Sequence, residues 1–173
     1  KLSQLYVIDK AKSLHSFDPR AGTFSRIGEV DCGEFLDTTP LTVYQDALTR
    51  TADLGARFIL WADDEYPENL RTWSGRPPIL FVKGDLALEV TRSLALVGRV
   101  DPSPDGARAA GRFARLCAEH GITVVSGLAR GIDTAAHTGA LDTASGVTYA
   151  VVGHGLDHQY PKENAVLYET ISH

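Results

Sequence analysis

An arginine set between two glycines is the residue of this chain best placed for chemistry. It lies in Ser126-Gly127-Leu128-Ala129-Arg130-Gly131-Ile132-Asp133. Gly127 and Gly131 let the backbone approach a ligand closely, and Arg130 adds a planar five-donor fork between them. Such a turn presents backbone N–H groups and a helix N-terminus together, which suits an anion such as phosphate. Arg130 is accordingly read as a phosphate ligand, the plainer reading being a surface arginine. Asp133 either meets a ligand or complements the dipole of the helix it opens. His137, one turn on, either forms an acid–base pair with Asp133 or is a hydrogen-bonded structural histidine, since no nucleophile stands near it. The chain has no Gly-x-x-x-x-Gly-Lys-Ser/Thr turn and no Gly-x-Gly-x-x-Gly after a strand, which weakens nucleotide chemistry. Its histidines show no metal-ligand spacing, so neither metal nor cofactor is expected.

The elements that must hold this turn follow from pattern. Gly121-Ile122-Thr123-Val124-Val125 reads as a buried parallel strand entering the turn, and Ile132, Ala135, Ala136, Ala140 and Leu141 recur at helical spacing after it. Ser93–Val97 is a second apolar strand, broken at Gly98, and a helix from about Pro104 to His120 should bury Ala109, Phe113, Leu116 and Cys117. Val147–Val152 is a third strand, ending at Gly153-His154-Gly155, with a helix after Pro161. Strands and helices alternating with glycines after each strand predict an α/β fold, a doubly wound, mostly parallel sheet. Ligands of such sheets bind beyond the carboxyl ends of the strands. Gly98-Arg99, Ser126–Gly131 and Gly153–Gly155 should therefore meet at one edge.

Upstream, residues 1–37 read as a β-meander of unknown role, with strands near 5–8, 14–17 and 24–27 and a turn at Asp18-Pro19-Arg20-Ala21-Gly22. Residues 38–91 form a lead-in α/β segment. It holds a helix capped by Thr39-Pro40 and stopped at Gly55, strands at Arg57–Trp61 and Ile79–Val82, and a short helix from Tyr66. Residues 92–173 form the sheet core. Arg108, Arg112 and Arg115 make a basic stripe that is either a DNA-tracking surface or a solvated helix face. Tyr160 either stacks on a base or packs beside Pro161, and His154 either faces the site or the loop.

The 173 residues carry 43% hydrophobic and 23% charged side chains and a net charge of −5, ordinary for a globular chain. That balance argues against wholesale electrostatic capture of nucleic acid or membrane. The acidic excess lies mainly in residues 1–91, so a polyanion would have to use a local patch further on. Cys32 and Cys117 are read as free thiols of a reducing, cytoplasmic compartment. The chain opens on Lys1 and contains no Met, and is expected to be a piece of a longer protein.

Five blocks in order now carry a resemblance. They are Tyr66-Pro67-Glu68-Asn69-Leu70, Pro77 through Asp85, Ser126 through Leu141, Ala150 through Asp157, and Tyr160-Pro161-Lys162-Glu163-Asn164. Over roughly residues 42–173 the chain resembles the DNA processing protein A family, also called Smf. The resemblance implies a Rossmann-like fold, single-stranded DNA binding, dimerisation in the full-length protein, and help in loading a RecA-type recombinase during natural transformation of bacteria. It implies no catalytic reaction. Carried over, it implies Arg130 and Lys162 as DNA contacts, within a phosphate-binding set of Gly98, Arg99, Ser126, Gly127, Arg130, Gly131, Gly153, Gly155, Lys162 and Asn164. The family reads Val-Gly-Ser/Thr-Arg after the first strand, whereas this chain has Val97-Gly98-Arg99-Val100, with the arginine one position early. Family members also continue past the position of His173 with strands that complete the sheet. Residues 1–33 lie outside the match. A nucleotide-binding sensor or nucleotide hydrolase on a related fold is the alternative reading, and a protein-interaction module a third.

Overall fold

The computed structural model describes residues 6–8, 13–18, 23–29, 41–86 and 92–173. The chain divides into two compact units, Lys1–Lys83 and Gly84–His173. The first opens with β1 (Tyr6–Ile8), β2 (Ser13–Asp18) and β3 (Thr23–Glu29), which pair antiparallel in that order. The anticipated turn residues 19–22, the Thr39-Pro40 cap and Cys32 fall outside the described residues. Helix α1 (Leu41–Asp53) ends where Gly55 takes φ +67° and donates its N–H to the Ala52 carbonyl at 2.9 Å, a left-handed stop that favours glycine. Strands β4 (Ala56–Leu60) and β5 (Ile79–Lys83) then pair with each other, antiparallel, with Phe58 opposite Phe81. The short helix α2 (Glu68–Arg71) lies between them in sequence.

In the second unit β6 (Ser93–Ala95), β7 (Thr123–Ser126) and β8 (Thr148–Ala150) form a parallel sheet in the order β6-β7-β8, with Leu94 beside Val124 and Val124 beside Thr148. Helix α3 (Pro104–Glu119) joins the first pair and α4 (Ile132–Leu141) the second; α5 (Ala165–Ile171) closes the chain. This is the expected α/β class with a parallel, Rossmann-like sheet. Ser103 caps α3, its hydroxyl accepting the Gly106 N–H at 3.1 Å, with Pro104 in the first turn where a missing N–H costs nothing. The core gathers Ala114, Cys117, Ala118, Val124, Ala136 and Ala140, with Leu96 and Ile122 against it.

Of the four residues assigned to the buried face of α3, Cys117 is buried, but Phe113 and Leu116 are 49% and 52% exposed and Ala109 is exposed. The face that packs is the small one, Ala114, Cys117 and Ala118, because α3 and α4 approach too closely for large side chains. A Cβ on Gly139 would run into the Gly111 carbonyl and lie 2.8 Å from the Gly111 Cα. Bulk was a poor guide to burial at this crossing.

Candidate functional site

The carboxyl ends of β6 and β7 are bound to each other and to the turn that follows. Ser126, buried at the end of β7, donates its hydroxyl to the Leu96 carbonyl at 2.6 Å, and the Ser126 carbonyl accepts the Val151 N–H at 2.8 Å. The Ile132 N–H donates to the Arg99 carbonyl at 3.1 Å. Gly131, at φ +83°, sits so close to the Arg99 and Val100 carbonyls that no Cβ would fit. A Cβ on Gly98 would lie 2.7 Å from Ile132 Cγ1. The backbone of Arg99 thus lies against the residue that follows Arg130. Gly153 comes two residues after Val151, and the loop beyond it is tied by His154, whose Nδ1 lies 3.0 Å from the Gly155 carbonyl and Nε2 3.3 Å from that of Tyr160.

The turn itself is filled from within. The Asp133 carboxylate accepts the Gly127 N–H at 3.1 Å and the Ala129 N–H at 3.4 Å. Two of the amides expected to hold a ligand anion therefore already hold one, supplied by the chain. Asp133 neither caps α4, whose N-cap is Gly131 with no side-chain bond, nor faces solvent. Between those amides Leu128 takes φ +60°, a conformation costing a non-glycine residue about 1–2 kcal/mol.

Asn164 repays part of that cost. Buried at 6% exposure, it donates from Nδ2 to the carbonyls of Leu128 at 2.9 Å and Ala129 at 3.3 Å, and lies 2.9 Å from Thr134 Oγ1. The Thr134 hydroxyl donates to the Ala129 carbonyl at 2.8 Å. Asn164 and Ser126 therefore belong to the frame of the turn, with their polar groups engaged inside the protein. By the same bonds Asn164 seats the 3-10 turn Lys162–Asn164 on Leu128 and Ala129.

Charged side chains reach water at this edge beside the exposed Val97, Val100 and Val151. Arg130 is 56% exposed, and its Nη1 lies 4.0 Å from Oε1 of Glu163, itself 66% exposed. Lys162 and Arg99 are exposed. Glu163 was not anticipated as part of the site; its position beside Lys162 in the Pro-Lys-Glu-Asn run was the signal available. Tyr160 is exposed, which leaves its ring accessible. The arginine stripe on α3 is solvated, with Arg108 paired to Asp105 and Arg115 to Glu119 at 2.9 Å.

His137 is fully buried beneath the turn. The Thr148 hydroxyl donates to the Val124 carbonyl at 2.8 Å, so its oxygen must accept from His137 Nδ1 at 2.7 Å. The ring is then the neutral Nδ1–H form, and Nε2 is buried without a partner. Desolvation lowers its pKa from 6.5 to about 4, against a smaller raising effect of the Asp133 carboxylate. This is a structural histidine.

Residues 57–173 match the family of DNA recombination-mediator protein A. The DNA processing protein DprA of Streptococcus pneumoniae is 43% identical over 109 residues, 63% of this chain and 38% of that protein. The solved structure of DprA from Streptococcus pneumoniae aligns with a TM-score of 0.64 at 34% identity, covering 76% of this chain and 44% of that one. DprA from Helicobacter pylori, whose structure is described for its mode of binding single-stranded DNA, aligns with a TM-score of 0.56 at 26% identity, over 68% of this chain and 51% of its own. The matched stretch thus spans 38% of the length of the Streptococcus pneumoniae protein.

Proposed function

The chain belongs to the DNA recombination-mediator protein A family, and from that premise we propose that its second unit binds single-stranded DNA through the phosphate backbone. The observation that carries the reading is the division of labour at the turn. Asp133, Asn164 and Thr134 consume the inward polar groups, and Arg130 is left exposed at the carboxyl edge with Lys162 and Arg99 on the adjoining segments. Side-chain cations, more than backbone amides, would meet the phosphates. Gly98, Gly127, Gly131, Gly153 and Gly155 serve by keeping that edge low, and Ser126 and Asn164 by fixing it. Contacts of this kind give affinity without sequence readout and a strong dependence on salt.

The protein acts without catalysis, as a mediator that hands the strand to a RecA-type recombinase in the cytoplasm, and the full-length protein works as a homodimer. The Helicobacter pylori relative, described as a single-stranded DNA binder, supports the ligand class. The alternative, a nucleotide sensor or hydrolase, is weighed down by the Asp133 carboxylate in the place where a nucleotide phosphate would seek the turn amides.

Anisotropy of a labelled single-stranded oligonucleotide, titrated at several salt concentrations, tests the reading. Arg130→Ala and Lys162→Glu should each weaken binding, and Arg130→Ala should flatten the plot of log K against log salt by about one unit. Unchanged affinity in both variants would remove these residues from the interface.

A further inference from the structure

The first unit holds two indole rings in water on a frame that is otherwise well bonded. Trp61, just after β4, is 46% exposed, and Trp73, just after α2, is 57% exposed. Arg76 joins them: its guanidinium carbon stands 5.0 Å from the Trp61 ring centroid, and its Nη1 donates to the Trp73 carbonyl at 3.3 Å. The Trp73 ring lies over Gly75, where a Cβ would come within 2.6 Å of Cζ2.

The frame beneath is specific. Arg71 donates to the carbonyls of Trp61 at 2.6 Å, Asp63 at 2.8 Å and Tyr66 at 3.1 Å. Tyr66 is buried with its hydroxyl on the Pro77 carbonyl at 2.8 Å, and the Trp61 N–H donates to Pro78 at 3.0 Å. Both tryptophan backbones are thereby fixed while their rings stay outside. The charges nearby largely cancel. Glu65 pairs with Arg57 at 3.4 Å and Glu68 with Arg71 at 3.0 Å. Exposed Asp64 and half-buried Arg76 add one charge of each sign to the segment.

A near-neutral surface of two indoles and a stacked guanidinium is poorly suited to phosphates and well suited to flat π faces. We propose that Trp61, Trp73 and Arg76 form a base-stacking surface for single-stranded nucleic acid, distinct in chemistry from the cationic edge at Arg130. The proposal rests on the single-stranded DNA reading above, and supplies the base contacts that a phosphate-directed edge lacks. Stacking of this kind tolerates any sequence, because every base has a π face.

These are the only two tryptophans of the chain, so intrinsic emission reports on this surface directly. The full chain is titrated with a labelled oligothymidylate, following anisotropy and tryptophan emission together, and again with an abasic oligomer of equal length. The expected result is saturable quenching that tracks anisotropy for the thymidylate and is absent for the abasic strand. Trp73→Ala should weaken thymidylate binding by about fivefold or more with the salt slope unchanged, and Trp73→Phe should restore most of the loss. Anisotropy that saturates without change in tryptophan emission, or Trp73→Ala binding like the parent, overturns the stacking surface and leaves the phosphate reading standing. No anisotropy change with either strand overturns both. Quenching by a protein partner with none by DNA assigns the surface to protein and overturns the proposal.

Discussion

Arg130 and Glu163 stand 4.0 Å apart at the proposed phosphate contact, with both side chains more than half exposed. At that exposure the pair contributes little to stability. Its consequence is for binding, since a phosphate reaching Arg130 must compete with a carboxylate already there and also approach that carboxylate's charge. Glu163→Gln should therefore raise affinity for a single-stranded oligonucleotide by about two- to fivefold at low salt, with the difference shrinking as salt rises. Anisotropy titrations of the two proteins side by side measure this, and equal affinities at low salt would show that Glu163 stands clear of the strand. Asn164 acts through structure instead. Asn164→Ala leaves the Leu128 carbonyl, and with it a positive-φ residue, without its buried donor. Thermal or urea unfolding should show a loss of about 1–3 kcal/mol, accompanied by weaker DNA binding as the Lys162 segment loosens from the turn.

At the scale of elements, the crossing of α3 and α4 depends on two glycines in contact. Gly139→Ala drives a methyl into the Gly111 carbonyl, and neither helix can move without disturbing the packing of Ala114, Ala136 and Ala140. A destabilisation of about 1–3 kcal/mol is expected, read as a lower urea midpoint, whereas Ser145→Ala, at an exposed turn position after α4, should unfold like the parent. The same crossing explains what was and was not legible in the sequence. The strand runs, the glycine after each strand and the Ser103-Pro104 helix start are local signals, and they located the parallel sheet and its carboxyl edge. Helix faces are set by what lies opposite, so the bulky Phe113 and Leu116 pointed to the wrong face of α3. At the turn, residue types predict an anion site, but Asp133 occupying two of its amides depends on an αL residue at Leu128 that no local pattern announces. Asn164, prominent in the motif, serves as a clamp for a similar reason: its partners are 30 or more residues away.

For the molecule as a whole, the buried His137 couples the stability of the second unit to pH. Its pKa falls from 6.5 to about 4 on folding because the apolar core around Val124, Ala136 and Ala140 disfavours the imidazolium. Between those values the unfolded chain binds a proton that the folded chain excludes, so stability rises with pH across this window. The histidine's contribution is fully present above about pH 6.5 and is lost as pH falls toward 4, amounting to about 2 kcal/mol by pH 5 and about 3 kcal/mol at the lower end. Protonation would also require Nδ1 to keep its bond to Thr148 while Nε2–H gains no acceptor, so the imidazolium has no second hydrogen bond to offset its desolvation. Urea unfolding of the whole chain at pH 7 and pH 5 measures the effect, and His137→Gln supplies the comparison, because it removes the titrating group and keeps a hydrogen-bonding side chain. The variant should be less stable than the parent at pH 7 and lose distinctly less between pH 7 and pH 5. Equal losses in the two proteins would place the acid sensitivity on carboxylates instead of on this ring. Because Asp133 both holds the turn proposed to face DNA and lies one helical turn from His137, the same titration should weaken oligonucleotide binding only where unfolding has begun, and anisotropy at matched salt across the pH series separates that from a direct effect on the cationic edge.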